Sequence, residues 1–282
     1  MKEDALLKKA QAIREEEHRL RPSLRLKTFE EIVEFVHSKG LVSTLGGNEL
    51  PSLISAILGK PWKPSGKGFT SWLEWWNFRV SNRPVSKVLG ELPGRPDILG
   101  TRIFRNTKTL VSKTIWPLLD PIVSRDSKLA EEHEIVSELE WNIFHTISEK
   151  GPIRTDKLRA LLKIEGKENT AKFHRALARL ENHAIIVGYE DPKPEKHLHA
   201  SIWQLWSQRV VSSKLTKSSL SYRNALVELL GKTVDAAVFL PEKEVGRLFP
   251  WDGEMEAVKD ELVANGTTLR AGPFLVAARV SQ

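Results

Sequence analysis

Apolar residues recur at helical spacing along most of this chain, and turn-forming residues separate the segments that carry them. The opening stretch, MKEDALLKKAQAIREEEHRL, alternates charges with short apolar steps and predicts a first helix, which Pro22 ends. Thr28 and Glu31 then stand as a capping box ahead of Ile32, Val33, Phe35 and Val36, so a second helix should run to about Lys39 and stop at Gly40. Gly46-Gly47-Asn48 turns the chain into 49–58, where Leu50, Leu53, Ile54, Ile57 and Leu58 predict a third, with Glu49 as its first-turn acid. The segment 59–68, GKPWKPSGKG, is a loop by its glycines and prolines. It leads to an aromatic run, Phe69, Trp72, Trp75, Trp76 and Phe78, in which the three tryptophans share one helical face. That stripe reads either as core or as a surface on which bases stack.

Further along, 112–124 predicts a short helix with Trp116 and Pro117 at its front, and 125–128 a charged connector. From 129 to 149, Ile135, Leu139, Ile143, Phe144 and Ile147 keep helical period until Gly151-Pro152. Ile153 can pair as a very short strand, and Thr155 should cap a helix carrying Leu158, Leu161 and Leu162. Gly166 makes the turn into a helix over 167–182. Two strands, 184–189 and 201–206, flank the polar loop 190–200. Helix, short strand, helix, turn, helix and hairpin together are the order of a winged helix. After a Ser- and Lys-rich linker at 207–218, a helix over 220–230, a strand at 236–240, helices at 242–248 and 253–265 and a hairpin around Ala271-Gly272-Pro273 repeat that order. The expected fold is therefore mainly α with small β-hairpin wings, as tandem winged-helix domains. The predicted units are a helical, winged-helix-like domain at 1–125, a winged helix at 129–207 and a winged-helix-like domain at 219–282.

Charge adds a partner to this picture. The 282 residues carry a net charge of +7, which favours polyanions because Lys and Arg release counterions from phosphates. In the 167–182 helix, Phe173, Leu177 and Leu180 take one face, while Lys172, Arg175 and Arg179 take a face well over ~100° away. Asn169, Lys172, Arg175 and Arg179 are thus the candidate DNA-reading residues, on what is otherwise a solvated basic face. Glu168 and Glu181 dilute that field. Between 79 and 113 a second basic run includes Arg79, Arg83, Arg102 and Arg105, further candidates for phosphate contact. The corresponding C-terminal helix is acidic, with Asp252, Glu254, Glu256, Asp260 and Glu261, so that unit reads as a packing or dimerising module.

Other chemistry is narrowed by what residues are present. The chain has no cysteine, which removes disulfides, thiol catalysis and Cys-ligated zinc. His197 and His199 alternate in the loop 190–200, yet two histidines do not make a zinc site, and His174 and His183 read as surface or satisfied core residues. No metal and no cofactor is expected. No stretch approaches the ~20 apolar residues of a membrane span, and the N-terminus lacks the apolar core of a signal peptide, so a cytoplasmic protein is expected.

The blocks NELPSLISAIL, WLEWWNFR, RNTKTLVSKTIWPLLDPI and EKGPIRTDKLRALL, followed by the 167–182 helix and a wing ending in IWQLW, resemble the AlkZ/YcaQ family of bacterial DNA glycosylases, and more closely its shorter relatives, over roughly 28–210. That resemblance implies tandem winged helices around a channel for duplex DNA. The family's catalytic signature is a Gln-apolar-Gln or Gln-apolar-Asp triplet that positions a hydrolytic water. The corresponding stretch, GLVSTLGGNELP, holds Ser43 and Thr44 instead, and the chain's glutamines are Gln11, Gln204, Gln208 and Gln282. No catalytic residue carries over. Glu49, Glu74 and Glu91 are the carboxylates that could orient water in a changed site. Three readings stand: a DNA-binding relative of repair glycosylases, with a non-standard active site if it is an enzyme; a winged-helix transcriptional regulator; and a protein-binding adaptor.

Overall fold

The computed structural model describes residues 3–46, 49–62, 78–191, 201–212 and 219–282. The chain is mainly α with small antiparallel sheets, and one arrangement of helix and sheet occurs in it three times. In the first, α2 (Phe29–Lys39) leads into β1 (Leu41–Ser43), α3 (Leu53–Leu58) follows, and β4 (Ile98–Phe104) and β5 (Thr107–Ser112) close a sheet of order β1-β5-β4. In the second, α6 (Glu138–Lys150) leads into β6 (Ile153–Arg154), then α7 (Thr155–Leu161), α8 (Lys167–Asn182) and the strands β7 (Ile186–Glu190) and β8 (Ser201–Leu205), ordered β6-β8-β7. In the third, α10 (Tyr222–Ala237), β9 (Phe239–Pro241), a 3-10 turn at Glu242–Arg247, α11 (Asp252–Ala264), β10 (Thr268–Ala271) and β11 (Phe274–Ala277) give β9-β11-β10. Each time the short strand after the first helix pairs with the second strand of the hairpin. These are called the N-terminal, middle and C-terminal units below.

Local chemistry sets several boundaries. The Thr28/Glu31 capping box forms, and Gly40 takes φ 74 to end α2. A second box, Ser137 with Glu140, starts α6, so the helical period expected unbroken across 129–149 is divided by a turn. The break falls there because α5 (Trp116–Glu131) carries through the expected connector at 125–128. It buries Leu118, Leu119, Ile122 and Val123, then Asp126 and Ala130, so its later turns have their own core to face. The third helix starts at Leu53 with Ser52 as its cap, and Glu49 stays outside it. Thr155 is the first residue of α7 rather than its cap, and its hydroxyl donates to the Ser201 carbonyl. Trp206–Ser212 is helical (α9) where a linker was expected. The Trp72, Trp75 and Trp76 stripe, Phe69 and Glu74, and the histidines His197 and His199 lie outside the described residues.

The β4–β5 hairpin is an element that sequence patterning missed, and it is central. Arg105 and Asn106 both take positive φ, 49° and 50°, as a two-residue hairpin turn requires. A one-residue bulge between Thr101 and Phe104 shifts the register of β4. At the tip, the Arg105 amide donates to the Leu248 carbonyl and the Phe104 ring meets Phe249 edge-on, so the N-terminal unit docks into the C-terminal one. Along its length the hairpin packs against β7 and the end of α8. A core of Phe173, Leu177, Leu180, Ile143, Ile147 and Trp203 fills the middle unit. Among the described residues no helix is long and apolar enough to cross a membrane.

Candidate nucleic-acid interface

Helix α8 is amphipathic as its sequence requires. Phe173, Ala176, Leu177 and Leu180 are buried, whereas Lys172, Arg175 and Arg179 are exposed along the opposite side, and Asn169, one turn before Phe173 on the same side as it, is exposed in the first turn. Gly166, at φ 77, turns the chain into the helix. Lys172 pairs with Glu168 one turn earlier at 2.7 Å, and this neighbour holds the Glu168 carboxyl below its usual range. Both groups are exposed, so an incoming phosphate can compete for Lys172 at little cost. Arg175 has no ion-pair partner among the described residues. Arg179 Nη2 reaches the Ile135 carbonyl at 3.4 Å, and its Nη1 lies 3.7 Å from the largely buried Glu140.

Glu181, expected to weaken this field from the surface, is instead 2 % exposed. Its carboxylate receives Arg102 Nε at 3.1 Å and Lys108 Nζ at 2.5 Å, so its charge is neutralised from the hairpin side and α8 presents a cleaner basic face.

The other basic candidates separate into two groups. Arg79 and Arg83 stand on the small β2–β3 hairpin (Arg79–Val80, Arg83–Pro84), whose turn residues Ser81 and Asn82 also have positive φ. Arg79 is exposed and donates to the Asn82 carbonyl; Arg83 lies 5.3 Å over the Phe29 ring and pairs with Glu91 of α4 (Val85–Glu91). Arg102 and Arg105 act internally. Arg102 serves Glu181 and the Asn106 carbonyl, and Arg105 holds Glu49 with two bonds, 2.6 and 2.8 Å, while its Nη1 lies 3.3 Å from Glu244. Hydrogen bonds donated to the Glu49 carboxylate raise the Arg105 pKa above its ordinary value.

The catalytic candidates are similarly occupied. Ser43 is buried, and its hydroxyl accepts the Gly46 amide at 3.3 Å. Thr44 bonds the Lys108 carbonyl through its amide and accepts the Ile54 amide. Glu49 is bound by Arg105 and Glu91 by Arg83. Among the described residues no group of His, Cys, Asp or Glu could hold a metal ion. His183 is satisfied, its Nδ1 2.7 Å from Asp126, and His174 is exposed with its ring edge-on to Phe173.

The family model described as AlkZ related matches residues 26–206, from the start of the N-terminal unit to the close of the middle one. The chain belongs to the AlkZ-related family. A search of curated proteins finds no match. Among solved structures, the Streptomyces sahachiroi DNA glycosylase AlkZ aligns with probability 1.00 and a TM-score of 0.55 at 12% identity, covering 97% of this chain and 70% of that one. At that identity the likeness is one of fold, and it extends through the C-terminal unit. This AlkZ-related chain thus shares its fold with a DNA glycosylase.

Proposed function

We propose that this AlkZ-related protein binds duplex DNA through tandem winged helices, with α8 as the recognition helix and Asn169, Lys172, Arg175 and Arg179 approaching the groove and its phosphates. The observation that carries the reading is the outward face of α8. Its basic side chains, Lys172, Arg175 and Arg179, are all exposed, and the inward carboxylate of Glu181 is already neutralised by Arg102 and Lys108. Arg79 and Arg83 add phosphate contacts at the edge of the surface, whereas Arg102 and Arg105 contribute by holding the hairpin in place. A helix end and a basic face can position a duplex without reading its sequence, as a repair protein requires. The likeness to a DNA glycosylase supports repair over transcription. A DNA partner implies a cytoplasmic protein. With Ser43 buried and Glu49 and Glu91 paired, catalysis in the manner of the glutamine triplet is not part of this reading.

Fluorescence anisotropy on undamaged duplex, abasic duplex and single-stranded DNA tests this reading. Binding to duplex at low salt, tighter for the abasic form, is expected. Equal binding to all duplexes with a strong sequence preference would favour a transcriptional regulator, and no binding at low salt would leave a protein-binding adaptor.

A further inference from the structure

The last turn of α8 is where the three units meet. Glu181 receives Arg102 and Lys108 from the β4–β5 hairpin, and Thr101 Oγ1 donates to its backbone carbonyl at 2.8 Å. Two residues on, His183 Nδ1 contacts Asp126 Oδ2 of α5 at 2.7 Å, and the same oxygen accepts Trp251 Nε1 of the C-terminal unit at 2.8 Å. Apolar contacts hold α8 in its own unit, but they are non-directional and do not fix its placement against the neighbouring hairpin. Charge-assisted hydrogen bonds are directional, and removing one partner of a buried ion pair leaves an uncompensated charge.

We propose that Glu181 is a positioning residue for DNA binding: it locks α8 to the β4–β5 hairpin, so that the basic face of α8 and Arg79 and Arg83 of the N-terminal unit are held in the register of one duplex. This rests on the reading of α8 as the DNA-contacting helix. Glu181 itself is too buried to touch DNA, and its effect passes through the relative placement of the two units.

The chain lacks cysteine, so Lys87→Cys on α4 and Lys150→Cys at the end of α6, both at exposed positions, supply the thiols for a spin-label pair spanning the N-terminal and middle units. Pulsed electron paramagnetic resonance without DNA should give one narrow distance in this parent and a broadened distribution after Glu181→Gln. Lys108→Met removes the same lock from its half-exposed side and serves if the first change impairs folding. Both changes should weaken binding to a duplex about two helical turns long by roughly fivefold or more, with less than about a twofold effect on a one-turn duplex. Unchanged distances in both variants, or equal losses on short and long duplexes, would overturn the lock. A parent that keeps its narrow distance but binds no duplex would overturn the DNA reading, and the proposal with it.

Discussion

Arg105 and Glu49 form a two-bond ion pair, at 2.6 and 2.8 Å, between the tip of the β4–β5 hairpin and the segment ahead of α3. Arg14 adds a bond to the Glu49 carbonyl at 2.9 Å, and Glu244 completes the surroundings of Arg105. A carboxylate held this way is a structural group.

Arg105→Ala should therefore cost stability, by about 2–3 kcal/mol, because it leaves two part-buried carboxylates without their cation. Urea denaturation measures this. Glu49→Gln should act in the same direction more mildly, and any base release seen in the native protein should survive it. Loss of such an activity with unchanged stability would return Glu49 to the catalytic candidates.

Gly188 of β7 lies against the Trp203 ring, where an added Cβ would come 2.7 Å from Cζ3. Gly188→Ala must displace the indole or bend the hairpin, at about 1–3 kcal/mol. Trp203 also donates from Nε1 to Thr155 Oγ1, so the damage should reach the start of α7. Thermal unfolding gives the size. Hydrogen exchange should show the weakening concentrated in β7, β8 and α7.

His18, just beyond α1 (Glu3–Glu17), is buried with Nε2 2.9 Å from the Ala236 carbonyl, and burial followed by the nearby Arg14 pushes its pKa down to about 3. The ring is neutral in the folded protein, while the unfolded chain binds its proton near the ordinary value of ~6.5. This contribution to stability is complete above pH ~6.5 and is lost as pH falls toward 3, at up to about 1.4 kcal/mol per unit. Burial would raise the neighbouring Glu17 carboxyl, but hydrogen bonds from Arg279 and Lys39 outweigh it and hold the group below its usual range, so its contribution is present above the usual carboxylate range and is lost as pH falls through it. Denaturation midpoints across pH 4–7 should flatten in His18→Gln; the same slope in both proteins would contradict the assignment.

Elements whose signals are local were legible in the sequence. The Thr28/Glu31 box and Gly40 bounded α2, and the spacing of Phe173, Leu177 and Leu180 bounded α8 and aimed its basic face outward. The C-terminal hairpin was placed by Ala271-Gly272-Pro273. Elements whose environment comes from another unit were not. The β4–β5 hairpin turns on Arg105-Asn106, a pair without glycine, and its basic residues pointed attention to phosphates when Arg102 and Lys108 serve Glu181 and Arg105 serves Glu49. Alternation of Thr101 with Ile103, and of Thr107, Thr109 and Val111, was the available strand signal. Asp126 in a segment that reads as a charged connector is buried, because His183 and Trp251, distant in sequence, supply its donors. Charge in a sequence does not reveal whether its partner is solvent, DNA or another part of the chain.

Salt dependence of duplex binding reports whether the outward face of α8 neutralises DNA phosphates. Lys172→Ala, Arg175→Ala and Arg179→Ala together should leave the fold intact, since all three positions are exposed. If the account holds, the slope of log affinity against log salt becomes shallower by about 2–3 in the triple variant, near 0.9 for each phosphate that is no longer neutralised, and affinity drops at least about tenfold at low salt. Identical slopes and affinities in the two proteins would contradict it.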